Sequence, residues 1–195
     1  MMILDYLKNT FDHIVFYDSE FKQDIKEKGE RPDVVCFVYK DYISQKIHRA
    51  YGSNITEHPY PLDRTLFIAF NFIAEASSML ALKMDLPKFA FDCYIENKKL
   101  YWNRVPNSKG AMGQLRTAAR YKYENNMSNT LKDFHRDEVI KNDTYTNEQL
   151  KSIVAYCERD VLTLEHIFIE QLKDIQNNYP NYGPKTIFIF FHFTP

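Results

Sequence analysis

Short apolar runs separated by polar turns fill the first half of the chain, and a longer apolar stripe at helical spacing dominates the last third. From His13 to Tyr17 the run Ile14-Val15-Phe16-Tyr17 is apolar and β-prone, and it stops at Asp18 and Glu20, which predicts a buried strand ending in carboxylates. A polar stretch from Lys22 to Pro32 separates it from a second strand over Val34 to Tyr39. Ser44 to Tyr51, where Ile47 alternates with polar neighbours, is the expected hairpin partner of that strand. After a proline-rich turn from Glu57 to Leu62, Thr65 to Phe70 predicts a further strand. Ala74 to Leu82, rich in Ala, Met and Leu, predicts a helix. Strand then helix, with Asn71 between, is an α/β signature. Phe89 to Asp92 gives a short strand after Pro87, and Lys109 to Tyr123 alternates apolar and basic residues at roughly helical spacing.

Thr146-Asn147-Glu148-Gln149 has the form of a capping box, in which the Thr hydroxyl and the Gln side chain satisfy the first free amides of a helix. A long helix to about Ile175 is expected to follow. Leu150, Ile153, Cys157, Val161, Leu164 and Phe168 recur at three and four, an apolar stripe turned toward a sheet. Beyond it, residues 176–195 break the pattern with a turn-rich segment, Asn177 to Pro184, and an aromatic run from Thr186 to Phe193. This tail is foreign to the domain at 1–175, and three readings stay open: out-of-frame sequence, an extra strand, or a partner-docking peptide. Its high β-propensity also makes it an aggregation hazard.

At 195 residues and 45% hydrophobic content the chain can bury one good core. With 25 basic against 26 acidic side chains the net charge is only -1, so no bulk basic signal for nucleic acid is present. Three well-separated cysteines form no disulfide framework or thiolate zinc site, which fits a reducing, cytoplasmic setting. No signal peptide is evident, and nothing reaches the roughly 18 apolar residues of a membrane span. The six histidines lack metal-binding spacing, and five glycines leave little for a phosphate-cradling loop, so ATP-dependent chemistry is not expected.

What stands out chemically is acid at the ends of predicted elements. Phosphodiester hydrolysis with two divalent cations needs several carboxylates converging from different parts of a fold. Asp18 and Glu20, at alternate strand positions, suit a shared metal face. By itself this pair is weak, since roughly one Asp-x-Glu is expected by chance at average acid usage. Tyr156 and Asp160 strengthen it, because i and i+4 place a phenol and a carboxylate on one face of the late helix. There the tyrosine can orient a water while Asp160 holds metal.

Asp18-Ser19-Glu20 after an apolar strand, Asn71-Phe72-Ile73-Ala74-Glu75 at a strand-to-helix junction, Ala90-Phe91-Asp92, and Tyr156-Cys157-Glu158-Arg159-Asp160 together resemble the ordered motifs of the DEDD exonucleases. The similarity is to the branch with tyrosine in the last motif, and within it to the proofreading domain of phage-type family A DNA polymerases. It implies an RNase H-like α/β fold, a mixed central sheet flanked by helices. It implies two divalent cations, Mg²⁺ or Mn²⁺, held by Asp18, Glu20, Glu75 and Asp160, with Tyr156 positioning water. Asn71 and Phe21 are the implied substrate-binding residues, a helix N-cap being the alternative for Asn71. The superfamily usually has Asp where this chain has Glu75, one methylene longer, and the Ala74-Glu75-Ala76 context marks this as a branch feature.

The implied activity is 3′→5′ hydrolysis of single-stranded DNA ends to nucleoside 5′-monophosphates, with a separately encoded DNA polymerase as a partner, since no polymerase domain is expected to follow. A catalytically inactive binding module and a ribonuclease trimming short RNA are the rival readings. Asp92 is expected to bond structurally rather than ligate metal. His135 is read as incidental, and Arg116, Arg120, Lys122 and Tyr123 as a solvated helix face or, alternatively, a single-strand binding surface.

Overall fold

The apolar run at Ile14 becomes the middle strand of a five-stranded mixed sheet. The structure is a computed structural model that describes residues 2–22, 32–55, 57–101, 104, 110–125 and 128–178. In chain order the elements are α1 (Ile3–Thr10), β1 (His13–Lys22), β2 (Asp33–Asp41), β3 (Ile47–Tyr51), β4 (Thr65–Ala69), α2 (Phe72–Ala81), β5 (Phe89–Asp92), α3 (Cys93–Tyr101), α4 (Gln114–Arg120), α5 (Asn129–Lys141) and α6 (Asn147–Asn178). The strands lie in the order β3-β2-β1-β4-β5. The β1–β2 and β2–β3 pairs are antiparallel, whereas β1–β4 and β4–β5 are parallel. Among the described residues no helix is long and apolar enough to cross a membrane. The polar stretch 23–31 and the aromatic run 186–193 lie outside the described residues.

Both faces of the sheet are covered, which is why β1 and β4 read as continuous apolar runs rather than alternating ones. Ile14 and Phe16 point into a large cluster with α1 and α6, while Val15 and Tyr17 point into a smaller one beneath α2. Successive strand residues face opposite sides, so Asp18 and Glu20 belong to the α6 face and Ser19 to the α2 face. The stripe on α6 seats against the first face: Phe168 meets Phe16 edge-on at 5.6 Å and Phe91 at 5.1 Å. Its capping box forms in full, with Gln149 N donating to Thr146 Oγ1 at 3.2 Å and Thr146 N donating to Gln149 Oε1 at 2.9 Å.

Some boundaries differ from the sequence reading for local reasons. α6 runs to Asn178, and the helix expected over Lys109 to Tyr123 shrinks to Gln114–Arg120. Gly110 (φ 77°) and Lys122 (φ 57°) are left-handed and bracket it. The described parts of α1, α3 and α5 carry helix that no sequence feature had assigned.

Asp92 ties two helices to one sheet end. One carboxylate oxygen accepts from Asn71 N at 3.2 Å, Tyr94 N at 2.8 Å and Ile95 N at 3.2 Å, and the other from Phe72 N at 2.9 Å. Asn71 sits at the N-cap position of α2 with φ 79°, but its side chain makes no capping bond there. Asp92 supplies that bond across the sheet and caps α3 as well. Asp92→Ala is therefore expected to lower unfolding stability by about 2 kcal/mol or more, the sum of two cap losses, as measured by urea denaturation. A loss near zero would mean that these amides find equivalent partners without it.

Candidate active site

The acidic half of β1 outruns its parallel neighbour. β4 pairs with His13 to Phe16 only, so Asp18 and Glu20 project past the carboxyl end of β4, with β2 on their other side. β1 has antiparallel β2 on one side and parallel β4, followed by β5, on the other, and such switch points in α/β sheets open crevices. A cleft of about 1020 Å³ occupies this one. Its lining includes Asp18, Glu20, Phe21, Asn71, Tyr156 and Asp160.

Glu75 stands apart from them. It is buried under α2 at 3% exposure, accepts a hydrogen bond from the Ser19 hydroxyl, and comes within hydrogen-bonding reach of the Asp18 carboxyl. It reaches Asp18 from α2, between the cleft-lining residues Ser19 and Ala74, without itself being among the lining residues.

Three carboxylates meet in the cleft. Burial, then the nearby Asp160 carboxylate, pushes the Asp18 pKa up to about 7. Glu20 is raised well above its ordinary value by burial and by Asp18, and Glu75 by the same two causes. Asp160, 3% exposed, has Oδ2 paired with Lys132 Nζ at 3.1 Å, whereas its buried Oδ1 has no hydrogen-bond partner among the described residues. α6 delivers Asp160, and Gln114 Nε2 holds its backbone by donating to the Asp160 carbonyl at 2.7 Å.

Tyr156 lies one turn before Asp160, 4% exposed. Burial and the charges of Asp160, Glu20 and Asp18 raise its pKa, so it is a phenol and not a phenolate base. His135 stacks on its ring at 5.0 Å and 25°, contrary to the reading of His135 as incidental.

The basic group named from sequence divides. Arg116 lines the cleft. Arg120 instead donates to Asn97 Oδ1 at 2.7 Å and lies over the Tyr101 ring at 4.4 Å, and Tyr123 packs against His166. Lys132 and Arg136, not singled out from sequence, line the cleft from α5. Their i, i+4 spacing is the signal that could have drawn attention to them. The cleft thus gathers the acids Asp18, Glu20 and Asp160 together with the bases Arg116, Lys132 and Arg136, a local pattern that a net charge of -1 conceals.

No protein-family model matches the chain, and no curated protein does. Among solved structures it is similar to the Nibbler EXO domain of Aedes aegypti, with a TM-score of 0.54 and 12% sequence identity, over 95% of this chain and 88% of that one. The fold is RNase H-like: a mixed five-stranded sheet flanked by helices. At that identity the likeness bears on the fold alone.

The residues present fit divalent cations. Ligating atoms of Asp18, Glu20 and Cys157 lie within 4.8 Å of one another, and the unpartnered Asp160 Oδ1 is a buried acceptor awaiting a positive charge. Burial holds the Cys157 thiol well above its ordinary pKa, and the other donors at the site, on Asp18, Glu20 and Asp160, are carboxylate oxygens. An oxygen set suits hard ions such as Mg²⁺ and Mn²⁺.

A raised carboxyl pKa in the folded state means that the unfolded chain releases its proton first as pH rises. Stability of the metal-free protein is thus expected to fall between the ordinary Asp value of 3.8 and about 7, where Asp18 ionises. Thermal unfolding in EDTA across that window checks it, with Asp18→Asn expected to flatten the slope and a divalent cation to restore stability at the alkaline end. Equal slopes for Asp18→Asn and the natural protein would show the carboxyl to be unshifted.

Proposed function

We propose that this chain is a metal-dependent 3′→5′ exonuclease of the proofreading type, acting on single-stranded DNA ends and releasing nucleoside 5′-monophosphates. The observation that carries the reading is the convergence of Asp18 and Glu20 from β1 with Asp160 from α6, more acid than Lys132 can balance, with Asp160 Oδ1 left unpartnered. The order of motifs similar to the phage-type family A proofreading domains supplies the polarity and the DNA preference. A cytoplasmic setting and a DNA polymerase partner belong to the same reading.

In this mechanism Asp18, Glu20 and Asp160 hold the cations, and Glu75 completes the set through Asp18. Divalent cations bound there supply activation of the attacking water and neutralisation of charge on the leaving oxygen. Tyr156, kept protonated by its surroundings and braced by His135, orients the water by hydrogen bonding rather than by removing its proton. Asn71 and Phe21 flank the cleft where the terminal nucleotides sit, and Arg116 and Arg136 face the phosphates. An unpaired end suits this arrangement, since aromatic and basic walls bind bases and backbone without base pairing.

A 5′-labelled single-stranded DNA incubated with Mg²⁺, Mn²⁺ or EDTA tests the reading. The expected result is a ladder shortening from the 3′ end that EDTA abolishes. Asp18→Ala is expected to slow it at least ~10³-fold and Tyr156→Phe roughly 10²-fold. Faster loss of the matching RNA would make the enzyme a ribonuclease. Intact DNA and RNA in every lane, from folded protein that still binds them, would leave a binding module.

A further inference from the structure

Lys132 is the one cationic side chain in contact with the acidic cluster among the described residues, and it reaches only half of Asp160. Its Nζ lies 3.1 Å from Oδ2 and 5.9 Å from the centroid of the Tyr156 ring. The other oxygen, Oδ1, is buried without a partner. α5 has anchors besides this pair. Val139 of the same helix is buried in the main core, and the Tyr145 hydroxyl donates to the Val139 carbonyl at 2.7 Å. The Asp160 backbone is held separately by Gln114. Lys132 itself is 31% exposed toward the cleft, so its flexible stem has room to turn. One helical turn further on, Arg136 lines the same cleft and continues the positive face of α5.

We propose that Lys132 is an exchangeable placeholder: it supplies the positive charge at Asp160 in the metal-free protein, yields that place to a divalent cation, and then pairs with a substrate phosphate beside Arg136. The physics runs in one direction. An ammonium a few ångströms from an arriving divalent cation is repelled strongly at the effective dielectric of a partly buried site, and the acceptor oxygens within reach of a cleft-facing lysine are then those of the nucleic-acid backbone. Lys132 thereby keeps the carboxylates assembled before metal arrives and afterwards serves the substrate. The second half of this cycle rests on the exonuclease reading; the first does not.

Mn²⁺ binding followed by electron paramagnetic resonance of the free ion, without nucleic acid, separates the two. Lys132→Met is expected to bind Mn²⁺ roughly tenfold tighter than the natural protein, because the competing charge is gone, and Lys132→Arg to bind within about twofold of it. With single-stranded DNA at saturating Mn²⁺, Lys132→Met is expected to lose roughly tenfold or more in kcat/KM, with Lys132→Arg recovering most of that loss. Mn²⁺ affinity that is unchanged or weaker in Lys132→Met, with circular dichroism showing a folded chain, would make Lys132 a fixed support for Asp160 and overturn the exchange. Tighter Mn²⁺ binding without loss of kcat/KM would overturn the transfer to phosphate. If the natural protein cleaves no nucleic acid, the exonuclease reading fails, and the Mn²⁺ comparison still decides the exchange.

Discussion

Like charges do not gather in a protein interior unless something holds them there. At the end of β1, Asp18 and Glu20 lie close enough to Asp160 for its charge to raise their proton affinity, and Glu75 adds its carboxyl beside Asp18. One lysine is a small counterweight to them. The metal-free protein meets the remaining repulsion by keeping protons on carboxyls that would ordinarily be ionised. Under the exonuclease reading proposed above, cation binding and protonation are alternatives at the same oxygens, which links pH, metal and stability.

The frame around this cluster is correspondingly rigid. β1 carries the first two acids because its apolar half is clamped between two packed layers, with Ile14, Val15, Phe16 and Tyr17 fully buried. α6 carries Tyr156 and Asp160 because its other face is committed to Phe16 and Phe91 through Phe168, so the helix cannot rotate without breaking the core. α2 brings Glu75 up to Ser19, and its first turn is fixed by Asp92 from β5. The result is three elements held in register by apolar packing: the end of β1 and the middle of α6 supply the cleft acids, and the first turn of α2 supplies Glu75 beside them. This division of labour, with a close-packed scaffold carrying the functional groups, lets strained electrostatics persist locally.

How much of this is legible in the primary structure depends on the range of the interaction. The strands at β1, β2 and β4 follow from contiguous apolar runs, and α6 from a capping box and a stripe that need nothing beyond neighbours in sequence. The short helices α1, α3 and α5 escape because packing against the rest of the fold stabilises them more than propensity does. α4 is cut short by left-handed backbone at Gly110 and Lys122, which no periodicity announces. Within the cleft, the acids and the tyrosine are visible as motifs, whereas Lys132, Arg136, Gln114 and His135 acquire meaning only from what lies across from them.

The sequence by itself determined an α/β chain with a carboxylate pair closing its first strand and a Tyr-to-Asp turn on its last helix, because strand alternation and helical periodicity are local properties. The tertiary structure alone decided that these acids share one cleft, that Glu75 bonds Ser19 beside Asp18, and that Asp92 rather than Asn71 caps α2. It also decided that a lysine from α5 occupies half of Asp160. Those facts depend on through-space electrostatics and hydrogen bonds between residues far apart in the chain, and such pairings exist only once the sheet has placed them face to face.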